Sequence, residues 1–305
     1  MSSSPAAAGQ KADWAGIAML TLPPLFWAGN FIVGRAMRDT VPPLALSFDR
    51  WVIAFCCLSP FAWRAMLRDL PRYREFFWRL LGLAATGVAA FNVLVYFGLQ
   101  STSAANGMML NSFIPLLIAG IGALFYRQRL TPAQIAGFIV SFFGVTLIVS
   151  HGDPRTLASQ GLSQGDALVF IATVCWAFYT LWLRQIPAEI DRLGLMLAQI
   201  VIALVLLAPL LAWEMASGRH VVWGTNSLLA IAYVGVFPSV LAFVLYGAGV
   251  MRVGAARAGL FIHLLPVFGT LLSVTLLREP LHGYQLFGMG AILAGVAWAN
   301  RPAGR

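Results

Sequence analysis

The chain has 305 residues, 60% of them hydrophobic and only 10% charged, with a mean hydropathy of +0.81. Soluble proteins are about 45 to 50% apolar and about 25% charged, so this composition excludes a soluble enzyme, a disordered tail and a nucleic-acid module, and it predicts an all-α membrane protein. The net charge of +9 comes from one lysine and nineteen arginines that lie mostly between apolar runs, where they set topology rather than bind nucleic acid. Cys56, Cys57 and Cys175 form no CxxC pair, so neither a disulfide framework nor a metal or redox site is expected.

A helix needs about 20 apolar residues to cross the hydrocarbon core. In chain order, ten runs qualify: 15–37, 44–63, 77–99, 104–126, 133–150, 166–184, 193–214, 226–248, 256–277 and 282–300. They are continuously apolar, whereas membrane β-strands would alternate over about ten residues. Residues 1–13 read as a short cytoplasmic tail, since no charged-then-apolar leader pattern precedes the run at Trp14. With the N-terminus inside, fourteen basic residues fall on inner segments (Lys11, Arg64, Arg68, Arg72, Arg74, Arg79, Arg127, Arg129, Arg184, Arg192, Arg252, Arg257, Arg301, Arg305). Five fall on outer ones (Arg35, Arg38, Arg155, Arg219, Arg278), and Arg50 lies within a span. This asymmetry predicts a multi-pass protein with both termini cytoplasmic. The richest segment, 64–79, reads as a topology anchor or a contact for anionic membrane lipid.

The two halves align with each other. At an offset of 149, Trp27 meets Trp176, Arg35 meets Arg184, and Val52-Ile53-Ala54 meets Val201-Ile202-Ala203. At an offset of 151, Pro115 meets Pro266, Gln134 meets Gln285, Gly137 meets Gly288 and Gly144 meets Gly295. The expected division is therefore 1–150 and 151–305. Each half holds five helices, and an odd number enters the membrane upside down relative to its copy, the inverted-repeat layout of secondary transporters.

The string FWAGNFIVGRAM running into VPPLALSFDRW, with the paired endings YRQRLTPAQIAGFIVSFFGVTLIV and LLREPLHGYQLFGMGAILAGVAWA, resembles the EamA-type transporters of the drug/metabolite transporter superfamily. The resemblance covers nearly the whole chain. It implies a carrier of the bacterial inner membrane with a central cavity lined by helices 1, 3, 4, 6, 8 and 9, close to the amino-acid and metabolite exporters. One departure stands out: the acidic residue expected before the Thr-Pro or Leu element is Glu279 in the second half but Gln128 in the first.

Polar groups inside a span are costly unless they face the bundle interior or a wet cavity. Taken in order, they are Trp27 and Asn30 on one face of the first helix; Asn92 and Tyr96, an i, i+4 pair, on the third; Asn106 and Asn111 on the fourth; Trp176 and Tyr179 on the sixth; Ser239, Phe243 and Tyr246 on the eighth; and His263 on the ninth. Amides and aromatic faces suit a neutral or zwitterionic small molecule with an apolar part. A polyanion carrier would be expected to place Lys or Arg in the cavity, so a phosphate ester is disfavoured. Each residue also has a plainer reading: belt aromatics for Tyr96 and Tyr246, helix-to-helix contacts for the asparagines, a structural histidine for His263.

Asp49 and His263 are the candidates for proton coupling. The alternative for the Asp49-Arg50 pair is that Arg50 pins helix ends while Asp49 snorkels to the outer surface. Glu214 and Asp166 sit at span ends and are expected to be solvated. Pro115 and Pro266 break helices at matched positions, as hinges or as static kinks. The Ala291, Gly295, Ala299 stripe suits close helix packing.

The function expected from these features is a secondary transporter exporting small amino acids or related metabolites by alternating access. Alternatives are a multidrug, purine or other metabolite exporter of the same fold, or a channel. The mid-span inventory lacks the converging acids, histidines or metal ligands of a membrane enzyme, and there is no GxxxxGK[ST] element for ATP. Neither a cofactor nor an obligate protein partner is called for.

Overall fold

The computed structural model describes residues 13–127, 130–150, 152, 153, 155, 163–276 and 282–299. Lys11, Gln128, Arg129, Arg278, Glu279, Arg301 and Arg305 lie outside the described residues. Those described form helices joined by short connections, with no β-strand among them. We number the rods α1 (Trp14–Ala36), α2 (Pro43–Tyr73), α3 (Phe77–Ser101), α4 (Ala104–Tyr126), α5 (Pro132–Val149), α6 (Gln164–Leu183), α7 (Arg192–Ala216), α8 (Thr225–Val253), α9 (Ala255–Leu260 continued by Leu264–Leu276) and α10 (Gly283–Ala299). Eight are long and apolar enough to cross a membrane; the shorter apolar stretches are Pro132–Ile148 and Gly283–Ala299.

Several helix starts carry oxygen acceptors, because the first four N–H groups of a helix have no partner within it. Asp13 accepts from Gly16 N–H, Asp191 from Gly194 N–H, and Ser163 and Thr131 head reciprocal boxes with Asp166 and Gln134. The Arg252 guanidinium, bonded to Asp13 at 2.8 and 3.0 Å, holds that carboxyl below the usual carboxylate range and ties the start of α1 to the end of α8.

Two sequence expectations fail here. The second helix runs to Tyr73, ten residues past the apolar run ending at 63. Arg64, Ala65, Met66, Leu67 and Arg68 are all good helix formers, so the coil continues after the need for apolar residues has ended. Glu214 and Asp166 are not solvated: they are 1% and 5% exposed. Glu214 at the end of α7 accepts from Leu44 and Ala45 N–H (3.2 and 2.8 Å), capping α2, whose own start at Pro42 has no side-chain cap. Reciprocally, Asp69 at the end of α2 accepts from Asp191 N–H (2.9 Å) at the start of α7. The two rods therefore lie antiparallel, clasped at both ends. Asp166 accepts from Thr102 Oγ1 (2.5 Å) and from Ser163, joining α6 to the end of α3.

Glycines set the closest approaches. A Cβ at Gly144 of α5 would stand 2.5 Å from the Gly288 carbonyl oxygen of α10, and one at Gly295 would stand 2.6 Å from the Gly137 carbonyl. The Gly295, Ala299 face thus packs inside the bundle, against Gly137 and Ser141. Elsewhere α1 lies along α8 and α9, and α6 lies along α3 and α4.

Four rods are interrupted, and the interruptions come at matched positions. Wide π-type turns occupy Ala84–Ala90 in α3 and Phe237–Leu241 in α8. In the second, Pro238 cannot donate to the ladder. In α4 the coil breaks at Ser112 and Phe113, and in α9 it tightens at Phe261–His263. Pro115 and Pro266 lie in the first turn after these breaks, where a missing N–H costs least.

Candidate functional site

α2 carries Arg50 into the middle of the bundle, where it is 1% exposed. Three helices supply its four partners. Nε donates to Ser239 Oγ of α8 (2.7 Å), and Nη1 donates to Asn30 Oδ1 of α1 (3.2 Å), Asn92 Oδ1 of α3 (2.6 Å) and Tyr96 Oη of α3 (2.6 Å). Nη2 makes no hydrogen bond among the described residues. The partners are themselves fixed: Tyr96 donates to Asn30 Oδ1 (2.6 Å), the Asn92 amide donates to the Val88 carbonyl (3.0 Å), and Ser239 donates to the Val234 carbonyl (2.5 Å). The π-type turns expose those carbonyls by displacing the regular ladder. Val88 also accepts from the Trp51 indole (2.9 Å), and Pro238 accepts from the Trp27 indole (3.2 Å).

The electrostatics of this cluster are one-sided. Arg50 forms no ion pair among the described residues, and its guanidinium carbon lies 5.2 Å from the Trp51 ring centre and 5.7 Å from that of Tyr96. A cation held by neutral dipoles and aromatic faces, with one nitrogen unused, is complementary to an incoming anionic group. The sequence reading of Arg50 as a pin for helix ends is therefore corrected: its partners come from α1, α3 and α8, not from a helix terminus.

Next to this cluster lies an aromatic chamber. Trp27 meets Trp176 edge-on at 5.0 Å and Tyr246 at 5.2 Å, while Phe243 meets Trp51 at 5.3 Å and Trp176 at 5.2 Å. Tyr179 packs on Trp176 at 5.1 Å, and the Tyr246 hydroxyl is 3.2 Å from Thr180 Oγ1. Tyr179 can come this close to α3 because Gly87 has no side chain; a Cβ there would lie 2.1 Å from the Tyr179 ring. An internal void of about 10 Å³ remains among Trp27, Asn30, Asn92, Asn111, Trp176 and Phe243. The Asn111 side-chain oxygen and the Trp176 indole N–H are buried with no hydrogen-bond partner among the described residues. Orphaned polar atoms around a water-sized space mark a place where a ligand's polar groups would be welcome.

Other candidates fall elsewhere. Asn106 is in the first turn of α4, its N–H capped by Ser103, away from the Arg50 cluster. The half-buried Asp49 carboxylate makes no hydrogen bond or ion pair among the described residues. His263 is fully buried, its two ring nitrogens 2.5 Å from Ser141 Oγ and 2.8 Å from the Ser112 carbonyl. It thus bridges the break in α9 to the break in α4 and to α5. No cluster of metal-ligating side chains occurs among the described residues.

Larger cavities lie at both ends of the bundle. One of about 560 Å³, lined by Arg38, Asp39, Phe97, Gln100, Gln164 and Arg219, opens at the end where α2 starts. One of about 320 Å³ lies between α6, α7 and α8 at the opposite end and shares Phe243 with the central void. The surrounding contacts are paired across the two halves. Arg35 donates to the carbonyls of Leu99 and Gln100, and its counterpart Arg184 donates to those of Val250 and Met251. Gly98 seats Val169 as Gly249 seats Leu20.

The match to known proteins agrees with this architecture. The EamA-like transporter family model matches residues 14–150 and again 163–301. The chain is 29% identical to the uncharacterized transporter YyaM of Bacillus subtilis over 223 residues, covering 72% of this chain and 71% of that protein. It is also 29% identical to a probable terminal-alkyne amino-acid exporter of Streptantibioticus cattleyicolor over 300 residues, covering 95% and 94%. One solved structure superposes with a TM-score of 0.71 at 19% identity, covering 94% of this chain and 96% of that one, which shows a shared fold. With its apolar helices and two family matches spanning most of its length, this chain belongs to the EamA-like transporter family of membrane proteins.

Proposed function

We propose that the protein is a secondary transporter that moves small amino acids or related metabolites out across the bacterial inner membrane by alternating access. In this reading ten spans form two inverted five-helix repeats, both termini are cytoplasmic, and the Arg50 cluster with the aromatic chamber is the substrate site. The carrying observation is Arg50 itself: a buried guanidinium with neutral partners and an unused Nη2, beside aromatic faces and the orphaned Asn111 oxygen. A carboxylate would pair with the guanidinium, an ammonium with Asn111, and an apolar side chain with Trp27, Trp176 and Phe243. The antiparallel α2/α7 clasp, the paired Arg35 and Arg184 contacts and the matched helix breaks support the inverted repeat. The relative from S. cattleyicolor, described as an amino-acid exporter, points to the same substrate class.

Export would proceed with the substrate held between an inner and an outer cavity that are not continuous with each other. Pro115 and Pro266, next to the breaks in α4 and α9, are the proposed hinges, and His263 joins the two breaks. Proteoliposomes loaded with unlabelled amino acid are expected to accumulate labelled amino acid by counterflow, saturably, and Trp27→Ala is expected to reduce this about tenfold by opening the chamber and freeing the Pro238 carbonyl. Flux that never saturates and shows no counterflow would identify a channel instead.

A further inference from the structure

The 320 Å³ cavity is the counterpart, in the second half, of the space that the Arg50 cluster fills in the first. By the internal alignment Asn30 corresponds to Tyr179, Arg50 to Gln199, Asn92 to Phe243 and Tyr96 to Gly247. All four second-half residues line the cavity. Where Tyr96 reaches across to Asn30 and closes its side, Gly247 leaves its side empty: a Cβ there would meet only Leu183, at 3.8 Å. The cavity also holds two orphaned polar atoms. Among the described residues, Gln199, 1% exposed, has a side-chain oxygen without a partner, and Arg192 has a buried Nη1 without one, while its Nη2 donates to the carbonyls of Ile186 and Pro187. Leu183, Leu195, Met196, Phe243 and Val244 make the rest of the wall apolar.

We propose that this cavity is a second ligand site, a loading site separated from the Arg50 site by the Phe243 ring. It takes a carboxylate of amino-acid size with a hydrogen-bond donor at the far end of an apolar body. Arg192 and Gln199 are seven residues apart on α7, about 10 Å along its axis. Arg192, tied to the loop before α7, stands at the mouth and receives the carboxylate. Gln199, two turns deeper, presents an acceptor to the distal donor. A volume of about 320 Å³ is at the small end of organic-ligand pockets, enough for one such molecule and no more. Phe243 lines both this cavity and the central void, so displacement of that single ring connects the loading site to the Arg50 site. This inference deepens the carrier reading and rests on it for the direction of passage, but not for binding.

Tyrosine and phenylalanine are matched probes, because they differ only in the distal hydroxyl. Equilibrium binding of each, labelled, to the purified full chain should favour tyrosine about tenfold, the effect of one hydrogen bond to a buried acceptor. Gln199→Leu should abolish that preference, Arg192→Gln should weaken both probes at this site about tenfold, and Gly247→Leu, whose Cβ would meet only Leu183 at 3.8 Å, should remove the tyrosine-preferring site and leave the Arg50 site, while the thermal transition is retained. Equal binding of the two probes, no binding of either, or unchanged binding in Gly247→Leu overturns the proposal. Counterflow separates the two readings. Counterflow that persists unchanged in Gly247→Leu leaves the carrier standing without this site, whereas binding that obeys these expectations without counterflow in any variant leaves the site standing without the carrier.

Discussion

Replacing Arg50 by glutamine is expected to lower amino-acid flux about 100-fold while leaving the fold intact. A charge-assisted contact between the free Nη2 of the guanidinium and a carboxylate contributes up to about 3 kcal/mol, or about two powers of ten in binding. Glutamine keeps a donor for Asn92 or Tyr96 but removes the charge, and Gln199 shows that the equivalent position of the second half accommodates it. Because Arg50 has no anionic partner among the described residues, removing it also relieves the cost of a buried cation. The thermal transition of Arg50→Gln should therefore be unchanged or raised, opposite in sign to the loss of flux. Arg50→Lys should restore little, since one ammonium cannot serve Ser239 on one side and Asn30, Asn92 and Tyr96 on the other in a fixed plane. A variant that both melts early and loses flux would make Arg50 a scaffold residue.

Gly144→Val should prevent stable folding. The new Cβ would lie 2.5 Å from the Gly288 carbonyl oxygen, 2.9 Å from Ile292 N and 2.9 Å from an Ile292 side-chain carbon. Two of the three are backbone atoms, which cannot rotate away, so α5 and α10 must separate along their crossing. Overpacking of a well-packed interior costs about 1 to 3 kcal/mol, and more where backbone must move. The other contacts of this crossing, Gly137 with Gly295 and Ala299, would be lost with it. The expected result is little monodisperse protein after extraction, and a much lowered transition in what remains. Gly120→Val on the preceding rod is the control: a Cβ there meets nothing within 4 Å and should be tolerated.

Much of the helical architecture was legible because a membrane imposes a coarse, local demand, a run of apolar residues of known length, which Trp14–Ala36 and Arg192–Ala216 satisfy without reference to the rest of the chain. What depended on the meeting of distant segments was not legible. Glu214 looks like a solvated span end until α7 is seen to finish beside the start of α2. The extension of α2 to Tyr73 follows from helix propensity in a segment that the apolar count ignores. At the site, Asn30, Asn92, Tyr96, Trp27 and Trp176 were identifiable as polar or aromatic groups inside spans, and they do converge. Arg50 was visible as the arginine inside a span, but its role was missed because its partners are 20, 42, 46 and 189 residues away in sequence. Gln199 carried a signal too, as the counterpart of Arg50. Its meaning depends on Gly247 leaving space beside it, which only packing reveals. The π-type turns in α3 had no sequence marker comparable to Pro238 in α8.

The most direct test of Arg50 as the carboxylate anchor is competition in the counterflow assay between an amino acid and its carboxamide, which retains size, shape and ammonium but lacks the negative charge. In the unaltered protein the carboxamide should compete at least about tenfold less well, and in Arg50→Gln the two should become equivalent. Equal competition in the unaltered protein would contradict a carboxylate site at Arg50.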